Sequence, residues 1–177
     1  MKNSKTANRY AKALLELSLE KGNLDAVYAN MQDLSDTINE SADLRSLIKN
    51  PIVNEEEKNN VFTALFGKTF DSETMNLVLL LSKNKRVELI GEVSEQFIAL
   101  YRVNKNIVTA EVTSAIKLDE EQKKKILALL KHDGEVEIVE TINPELIGGF
   151  IVKVGDKQID ASISTKFKNL RKEISLN

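Results

Sequence analysis

The sequence predicts an α+β protein, in which an N-terminal antiparallel bundle of six helices is followed by a small α/β domain with about four strands and two helices. Two observations support this class. Apolar residues recur every three or four positions through the first hundred residues, which is the spacing of amphipathic helices. After a polar stretch at Val103–Asn106, β-branched residues begin to alternate with polar ones, which is typical of strands. We therefore expect two domains, residues 1–105 and 106–177.

Residues that favour helix ends mark the boundaries in the first domain. Gly22 and Asn23 are expected to end the first helix and start the second. The expected N-terminal caps of the third, fourth and fifth helices are Ser41, Asn54 and Asp71. The expected stops of the same helices are Asn50-Pro51, Gly67 and Asn84–Arg86. The fifth helix is apolar nearly all round from Met75 to Leu81, which indicates a central, buried element.

The second domain begins with an alternating segment at Ile107–Thr113, which predicts a strand. Asp119 and Gln122 have the spacing of a capping box, which predicts a helix running to His132 and Gly134. A second strand is expected at Glu135–Ile142, where valine and isoleucine alternate with glutamates.

A hairpin and a last helix complete this domain. Phe150–Val154 and Lys157–Asp160 read as strands joined by a two-residue turn, because Gly155 can take positive φ at its first position. Ile159 is the residue expected to point inward from the second of these strands. Apolar residues then recur every three or four positions in a predicted terminal helix, namely Ile163, Phe167, Leu170 and Ile174.

The composition excludes several classes of function. The net charge of −2 leaves no basic excess for a nucleic-acid partner. The chain has no cysteine, which excludes disulfides and thiolate metal sites and is consistent with a reducing compartment. No apolar run approaches the roughly 18 residues of a membrane span, and the N-terminus has no secretory signal. Any association with a membrane is therefore expected to be indirect, through a partner.

The residues that could carry chemistry favour structural roles. His132, the only histidine, is expected in the last turn of a helix, without a nearby nucleophile or metal shell, so a capping or surface role is expected. Gly148-Gly149 precedes a strand and lacks the lysine and serine of a phosphate loop, which favours a bulge or a close backbone approach. Asp160, Ser162 or Ser164 is expected to cap the terminal helix. We expect no catalytic, cofactor-binding or metal-binding residues, which leaves a protein-interaction role.

Short motifs in a fixed order carry a resemblance that covers essentially the whole chain. They are Asn8-Arg-Tyr-Ala-Lys-Ala-Leu14, Leu47-Ile-Lys-Asn-Pro51, Leu79-Leu-Leu-Ser-Lys-Asn-Lys-Arg86, and a C-terminal set made of Leu146-Ile-Gly-Gly-Phe150, Val154-Gly-Asp156 and Ile159-Asp-Ala-Ser-Ile163. Together they resemble the ATP synthase delta subunit family, whose mitochondrial member is the oligomycin-sensitivity-conferring protein. The chain departs from the family at Leu77, where many members carry phenylalanine, and at Phe167, where leucine is common.

The resemblance implies a non-catalytic stator component of F-type ATP synthase. The bundle would grip the alpha (and beta) subunits of the catalytic head, and the second domain would hold the b subunits of the peripheral stalk, so that proton-driven rotation is coupled to ATP synthesis. Without a transit peptide, the expected location is the cytoplasmic face of a bacterial cell membrane. The residues alone leave open a soluble helical adaptor or regulator unrelated to ATP synthase. An enzyme would need a cleft with perturbed titratable groups.

Two sets of residues are candidates for these contacts. A bundle with small residues on its first helix and an apolar fifth helix can offer a groove for an amphipathic helix. The residues predicted to line it for the head are Tyr10, Ala13, Leu14, Val78 and Leu81. The residues predicted to contact the stalk are Phe150, Ile163 and Phe167.

Overall fold

The protein is described here by a computed structural model, which covers residues 5–130, 134–165 and 167. The chain divides into two compact units, Met1–Val103 and Asn104–Asn177. In the described residues the first unit is helical and the second contains a four-stranded sheet, so the predicted α+β class is confirmed.

Six α-helices and one 3₁₀ turn form the first unit. The helices are α1 (Lys5–Lys21), α2 (Leu24–Glu40), α3 (Ala42–Lys49), α4 (Glu55–Phe66), α5 (Ser72–Lys83) and α6 (Ile90–Asn104), with the 3₁₀ turn at Val87–Leu89 leading into α6. Large side chains from four of these helices are fully buried and form the core, among them Met31, Leu34, Phe62, Leu81, Ile90 and Phe97. Besides Leu14 and Leu15, α1 adds small residues to this core, since Ala7 and Ala11 are completely buried. Each large apolar side chain in such a core stabilises the fold by about 1.5–3 kcal/mol.

All three predicted caps occupy the N-cap position, and two of them make a side-chain capping hydrogen bond. The Ser41 hydroxyl accepts a hydrogen bond from the Leu44 amide at 3.1 Å, and the Asn54 side chain accepts one from the Glu57 amide at 2.8 Å. Asp71 occupies the N-cap position of α5, but its side chain makes no capping hydrogen bond. The N-cap position predicted for Asp71 is therefore confirmed, although its side chain does not make the capping hydrogen bond.

Two helices of this unit end in the same hydrogen-bonded motif. After α1, the amides of Gly22 and Asn23 donate to the carbonyls of Leu19 and Ser18. After α5, the amides of Lys85 and Arg86 donate to the carbonyls of Ser82 and Leu81. Gly22 and Lys85 have φ of 72° and 55°. This is the Schellman arrangement, which usually places glycine at the left-handed position and here places a lysine there in α5.

The expectation that α5 is buried all round was wrong. Leu77, Val78 and Leu81 are buried, whereas Leu79 and Leu80 are each 46% exposed. A helix that is apolar on every side gives no pattern from which its buried face can be read. The helix therefore presents leucines to solvent.

The second unit contains one sheet with a crossover helix. Its elements are β1 (Val108–Ser114), α7 (Glu120–Leu130), β2 (Val136–Ile142), β3 (Phe150–Val154) and β4 (Lys157–Asp160). The strand order is β2-β1-β3-β4, with β1 and β2 parallel and the other two pairs antiparallel. A parallel pair requires a crossover connection, and α7 supplies it.

The core of this unit lies between α7 and one face of the sheet. Ala110, Val112 and Val152 of the sheet are buried together with Leu118 and Ile126. Ile159 pairs with Val152 and so shares this inward face, as predicted. It remains 39% exposed, because β4 is an edge strand in which every residue is exposed.

The start and orientation of α7 are fixed by polar contacts. Asp119 and Gln122 exchange two hydrogen bonds, of 3.1 and 2.7 Å, so the predicted capping box is confirmed. Lys123 of α7 forms an ion pair of 3.0 Å with Glu140 of β2. The hydrogen bond between them raises the pKa of Lys123 and lowers that of Glu140.

The glycines of the hairpin region permit the close backbone approach predicted for them. Gly148 and Gly149 have φ of 151° and 80°, and a Cβ on Gly149 would lie 2.9 Å from the Cα of Ser162. The segment before β3 is held against the segment after β4 by a hydrogen bond of 3.0 Å from the Ile163 amide to the Gly148 carbonyl. Gly155 has φ of 55° at the first position of the hairpin turn, as predicted.

A helix begins after β4. The Ser162 hydroxyl accepts a hydrogen bond from the Thr165 amide at 3.3 Å, which makes Ser162 the N-terminal cap. Asp160 supports this turn by accepting hydrogen bonds from the Ser162 amide and the Thr165 hydroxyl, both at 2.8 Å. Residues 163–165 and 167 are helical. The remainder of the predicted terminal helix, with Leu170 and Ile174, lies outside the described residues, as does His132.

Candidate functional site

An apolar groove runs between α1 and α5 on the surface of the first unit, with a volume of about 430 Å³ including the space open to solvent. Its lining residues are Tyr10, Ala13, Leu14 and Leu17 of α1 and Glu73, Asn76, Leu77 and Leu80 of α5. Residues three and four positions apart share a face of a helix, so each helix contributes one continuous stripe to the groove. The walls are therefore mostly hydrocarbon.

Side-chain size and helix direction explain the shape of the groove. Ala13 adds only a methyl group to the lining, whereas Leu17 and Leu80 stand partly exposed at the sides of the groove. Polar contacts tie the two helices together at both ends, from Lys21 to Glu73 at one end and from Asn84 to Tyr10 at the other. Because Tyr10 precedes Lys21 in α1 and Glu73 precedes Asn84, the two helices are antiparallel. The eleven steps from Tyr10 to Lys21 span about 16 Å at the helical rise of 1.5 Å per residue.

Glu73 is the ionised group at one end of the groove. Lys21 Nζ lies 2.6 Å from its Oε1, and Asn23 Nδ2 and Ser72 Oγ donate to its Oε2 at 3.0 and 3.1 Å. The hydrogen bond from Lys21 is the main reason that the pKa of Glu73 is lowered to about 2. A carboxylate with this many donors is satisfied within the protein, so it serves as a structural clamp rather than as a free acid or base.

At the other end, the amide of Asn84 donates a hydrogen bond of 3.0 Å to the Tyr10 hydroxyl. The groove is thus about three helical turns long in all, with two polar ends and an apolar middle. It contains no nucleophile paired with a base. Among the described residues, no group of three or more histidine, cysteine, aspartate or glutamate residues could hold a metal ion. What this surface can do chemically is to bury the apolar face of a helix.

The structure separates the five residues predicted for this groove into two groups. Tyr10, Ala13 and Leu14 line it. Val78 and Leu81 are 1% and 0% exposed and belong to the core. The α5 stripe that faces the groove is instead made of Glu73, Asn76, Leu77 and Leu80. The sequence analysis also missed Leu17, which the spacing from Ala13 and Leu14 could have indicated.

The residues predicted for a second contact lie at one end of the sheet in the other unit. Phe150 begins β3 and is half-buried, whereas Ile163 is partly exposed and Phe167 is largely exposed. Gly148 allows Ile163 to approach, since a Cβ on Gly148 would lie 2.7 Å from the Ile163 Cδ1.

Phe150 also lines a hollow beside this end of the sheet. The lining residues are Ser114, Ala115, Ile116, Leu118, Gln122, Ile147, Gly148, Gly149 and Phe150. Ile116 and Ile147 are 70% and 81% exposed, which is unusual for isoleucine. The sequence analysis did not single out these two residues, because both lie in loops where no periodicity applies.

Comparison with known proteins identifies full-length similarity. The family profile described as ATP synthase delta (OSCP) subunit matches residues 6–174. ATP synthase subunit delta of Cytophaga hutchinsonii is 35% identical over 176 residues, which are 99% of this chain and 97% of the relative. ATP synthase subunit delta of Flavobacterium psychrophilum is 34% identical over 177 residues, which are 99% of both proteins.

A solved structure with a similar fold comes from a large assembly. A chain of the mitochondrial ATP synthase hexamer of Toxoplasma gondii, determined by cryo-electron microscopy, matches with a TM-score of 0.65 and 25% sequence identity. The match covers 95% of this chain and 96% of that chain.

Proposed function

The chain belongs to the ATP synthase delta (OSCP) subunit family, and from this membership we propose that it is a non-catalytic stator component of F-type ATP synthase. Its role would be to link the alpha subunits of the catalytic head to the b subunits of the peripheral stalk. A link that resists rotation of the head allows proton-driven rotation to do conformational work there. Such a protein needs two binding surfaces and no reactive group.

The groove between α1 and α5 is the observation that carries this proposal. Its middle is apolar, and Leu17 and Leu80 expose hydrocarbon at its sides. An amphipathic helix that lays its apolar face in a groove is a recurring mode of recognition. The proposed occupant is a helical segment of the head, and the proposed contacts are Tyr10, Ala13 and Leu14 with Leu77 and Leu80.

The end of the sheet in the second unit is the proposed stalk surface. Phe150, Ile163 and Phe167 are the contacts expected from the sequence, and Ile116 and Ile147 add exposed apolar area beside Phe150. Exposed apolar patches of this kind mark protein-binding sites.

The proposed location follows from the proposed assembly. Among the described residues no helix is both long and apolar enough to cross a membrane. Within ATP synthase the chain would lie at the cytoplasmic face of the membrane, held there by its partners.

An aspartate in the groove tests this proposal. Titration calorimetry would measure binding of the full chain to a catalytic head from which the delta subunit has been removed. We expect one-to-one binding by the unaltered chain and a loss of about tenfold or more for Ala13→Asp, because burial of an unpaired carboxylate is costly. The matched control is Ala99→Asp, at an exposed position within α6.

Three results are possible with different meanings. Loss of affinity in Ala13→Asp but not in Ala99→Asp supports the proposed groove contact. Equal affinity of Ala13→Asp and the unaltered chain would refute the groove as the contact but leave the stator role. No binding by the unaltered chain would refute the role and favour an adaptor unconnected with ATP synthase.

A further inference from the structure

Basic and acidic residues are concentrated at opposite ends of the two helices that form the groove. In α1 the basic residues Lys5, Arg9 and Lys12 come first and the acidic residues Glu16 and Glu20 come later. In α5 the order is reversed, with Glu73 in the first turn and Lys83 in the last. Since the two helices are antiparallel, like charges coincide. The groove therefore has a basic end beside Tyr10 and Asn84 and an acidic end beside Leu17.

Several of these charges lie on the rim of the groove. Arg9, Glu16 and Glu20 share one stripe of α1 with Ala13, since they are spaced by four, three and four residues. Ala13 also lines the groove, so this stripe borders it. All four residues are exposed.

The rim on α5 follows the same reasoning. Lys83 is two helical turns beyond Asn76, a groove residue, and is therefore on the same side of α5. It is exposed, like Arg9 across the basic end. At the acidic end, Lys21 is already engaged with Glu73, which leaves Glu16 and Glu20 as the outward charges.

Stability of α1 does not account for its charge order. The helix dipole favours acidic residues in the first turn and basic residues in the last. The first turn of α1 contains Lys5 and no acidic residue, and its last turn contains Glu20 next to Lys21, which is engaged with Glu73. The order of the exposed charges Arg9, Glu16 and Glu20 is therefore not one that the helix dipole favours.

We infer that the groove selects its helical partner by charge order. The preferred segment of the head is about three turns long, with its apolar face in the groove, acidic residues opposite Arg9 and Lys83, and basic residues opposite Glu16 and Glu20. This inference rests on the proposed function. Complementary charges around an apolar contact fix register, exclude wrong partners and speed association.

Charge reversals at the two ends test the inference in the full chain. One variant carries Arg9→Glu with Lys83→Glu, and the other carries Glu16→Lys with Glu20→Lys. Matched controls make the same changes of charge on exposed positions outside the groove, as Lys49→Glu with Lys68→Glu and as Asp36→Lys with Glu40→Lys. Circular dichroism and thermal unfolding would establish that all four variants are folded, and milder glutamine substitutions at the same sites replace any that is not.

The measurement is the affinity for a catalytic head lacking its delta subunit, at low and high salt. Each groove variant should bind about tenfold more weakly than its matched control at low salt, and the difference should shrink toward 1 M salt because the charges are exposed. The inference is overturned if the groove variants and controls bind alike, or if only one end matters. If the unaltered chain does not bind the head, both the inference and the proposed function are refuted. If Ala13→Asp weakens binding but the charge reversals do not, only the charge selection is refuted.

Discussion

The side chain of Glu73 joins the ends of three helices in the first unit. It belongs to α5, accepts hydrogen bonds from Lys21 at the end of α1 and from Asn23 at the start of α2, and is only 7% exposed. A weakly exposed carboxylate is stabilising only while its donors remain in place. At this end of the groove, the position of α5 relative to α1 depends on this group, as it depends on the contact between Asn84 and Tyr10 at the other end.

The first residue-level prediction concerns acid stability. The pKa of Glu73 falls from a usual 4.5 to about 2 in the folded protein. A carboxyl with a lowered folded pKa stabilises the protein fully above its unfolded pKa, and this contribution is lost as the pH falls through the folded pKa. Glu73→Gln should therefore lower the melting temperature at pH 6, and the difference from the unaltered chain should shrink between pH 4.5 and about 2.

Melting curves by circular dichroism from pH 6 downward would measure this difference. Glu95→Gln, at an exposed position of α6, controls for the loss of one carboxyl group. A gap between Glu73→Gln and the unaltered chain that stays constant across this pH range would show that the ion pair with Lys21 does not stabilise the fold.

Sequence reasoning placed Asp71 correctly at the start of α5 but did not identify Glu73 as the carboxylate that joins the helices. Asp71 fits the rule for helix caps, and the structure does place it at the N-cap position. Rules of local sequence do not include donors from distant helices, and Lys21 and Asn23 reach Glu73 across about fifty residues of sequence. The polar end of the groove is therefore a tertiary feature that spacing alone could not reveal.

At the level of elements, the two groove helices differ in how well they could be predicted. The apolar stripe of α1 is separated by charged residues, so Tyr10, Ala13 and Leu14 could be placed together from spacing alone. The apolar run of α5 has no such separation. The sequence analysis predicted Val78 and Leu81 as groove residues, whereas Leu77 and Leu80 line the groove. The predicted face of α5 is therefore rotated by one residue, or about 100°, from the observed one.

An element-level prediction concerns the glycines around the hairpin. Gly149 and Gly155 both have φ in the left-handed region, but only Gly149 is crowded, by the backbone of Ala161 and Ser162. Gly155→Ala should cost about 1–2 kcal/mol from backbone strain alone. Gly149→Ala should cost about 3 kcal/mol or more, because the added methyl group also pushes the two segments apart.

Hydrogen exchange of the β3 amides would measure both costs, since it reports the stability of this sheet separately from the helical unit. Gly155→Ala is the control because it tests the effect of the left-handed φ alone. No atom lies within 4 Å of a Cβ added at Gly155. Equal effects of the two substitutions would contradict the close approach between the segments that flank β3 and β4.

At the level of the whole molecule, the change from helices to strands could be read near Val103–Asn106, where the apolar period changes from about 3.6 to 2. The order of the strands in the sheet could not be read from the sequence. Alternation assigns each strand a buried face but does not identify its neighbours, and β1 lies between β2, which is parallel to it, and β3, which is antiparallel. That arrangement depends on the path of α7, which is a property of packing rather than of any one segment.

The division into two units leads to a prediction about where the head is bound. The proposed groove uses residues of the first unit only, and that unit has its own buried core. A fragment of residues 1–105 should therefore fold as a helical protein. It should bind the catalytic head with an affinity within a factor of about three of the full chain, since distant groups contribute independently. Titration calorimetry would compare the fragment, the full chain and residues 106–177, of which the last should not bind. Binding by the full chain but by neither fragment would mean that the head contacts both units, and binding by residues 106–177 alone would move the contact away from the groove.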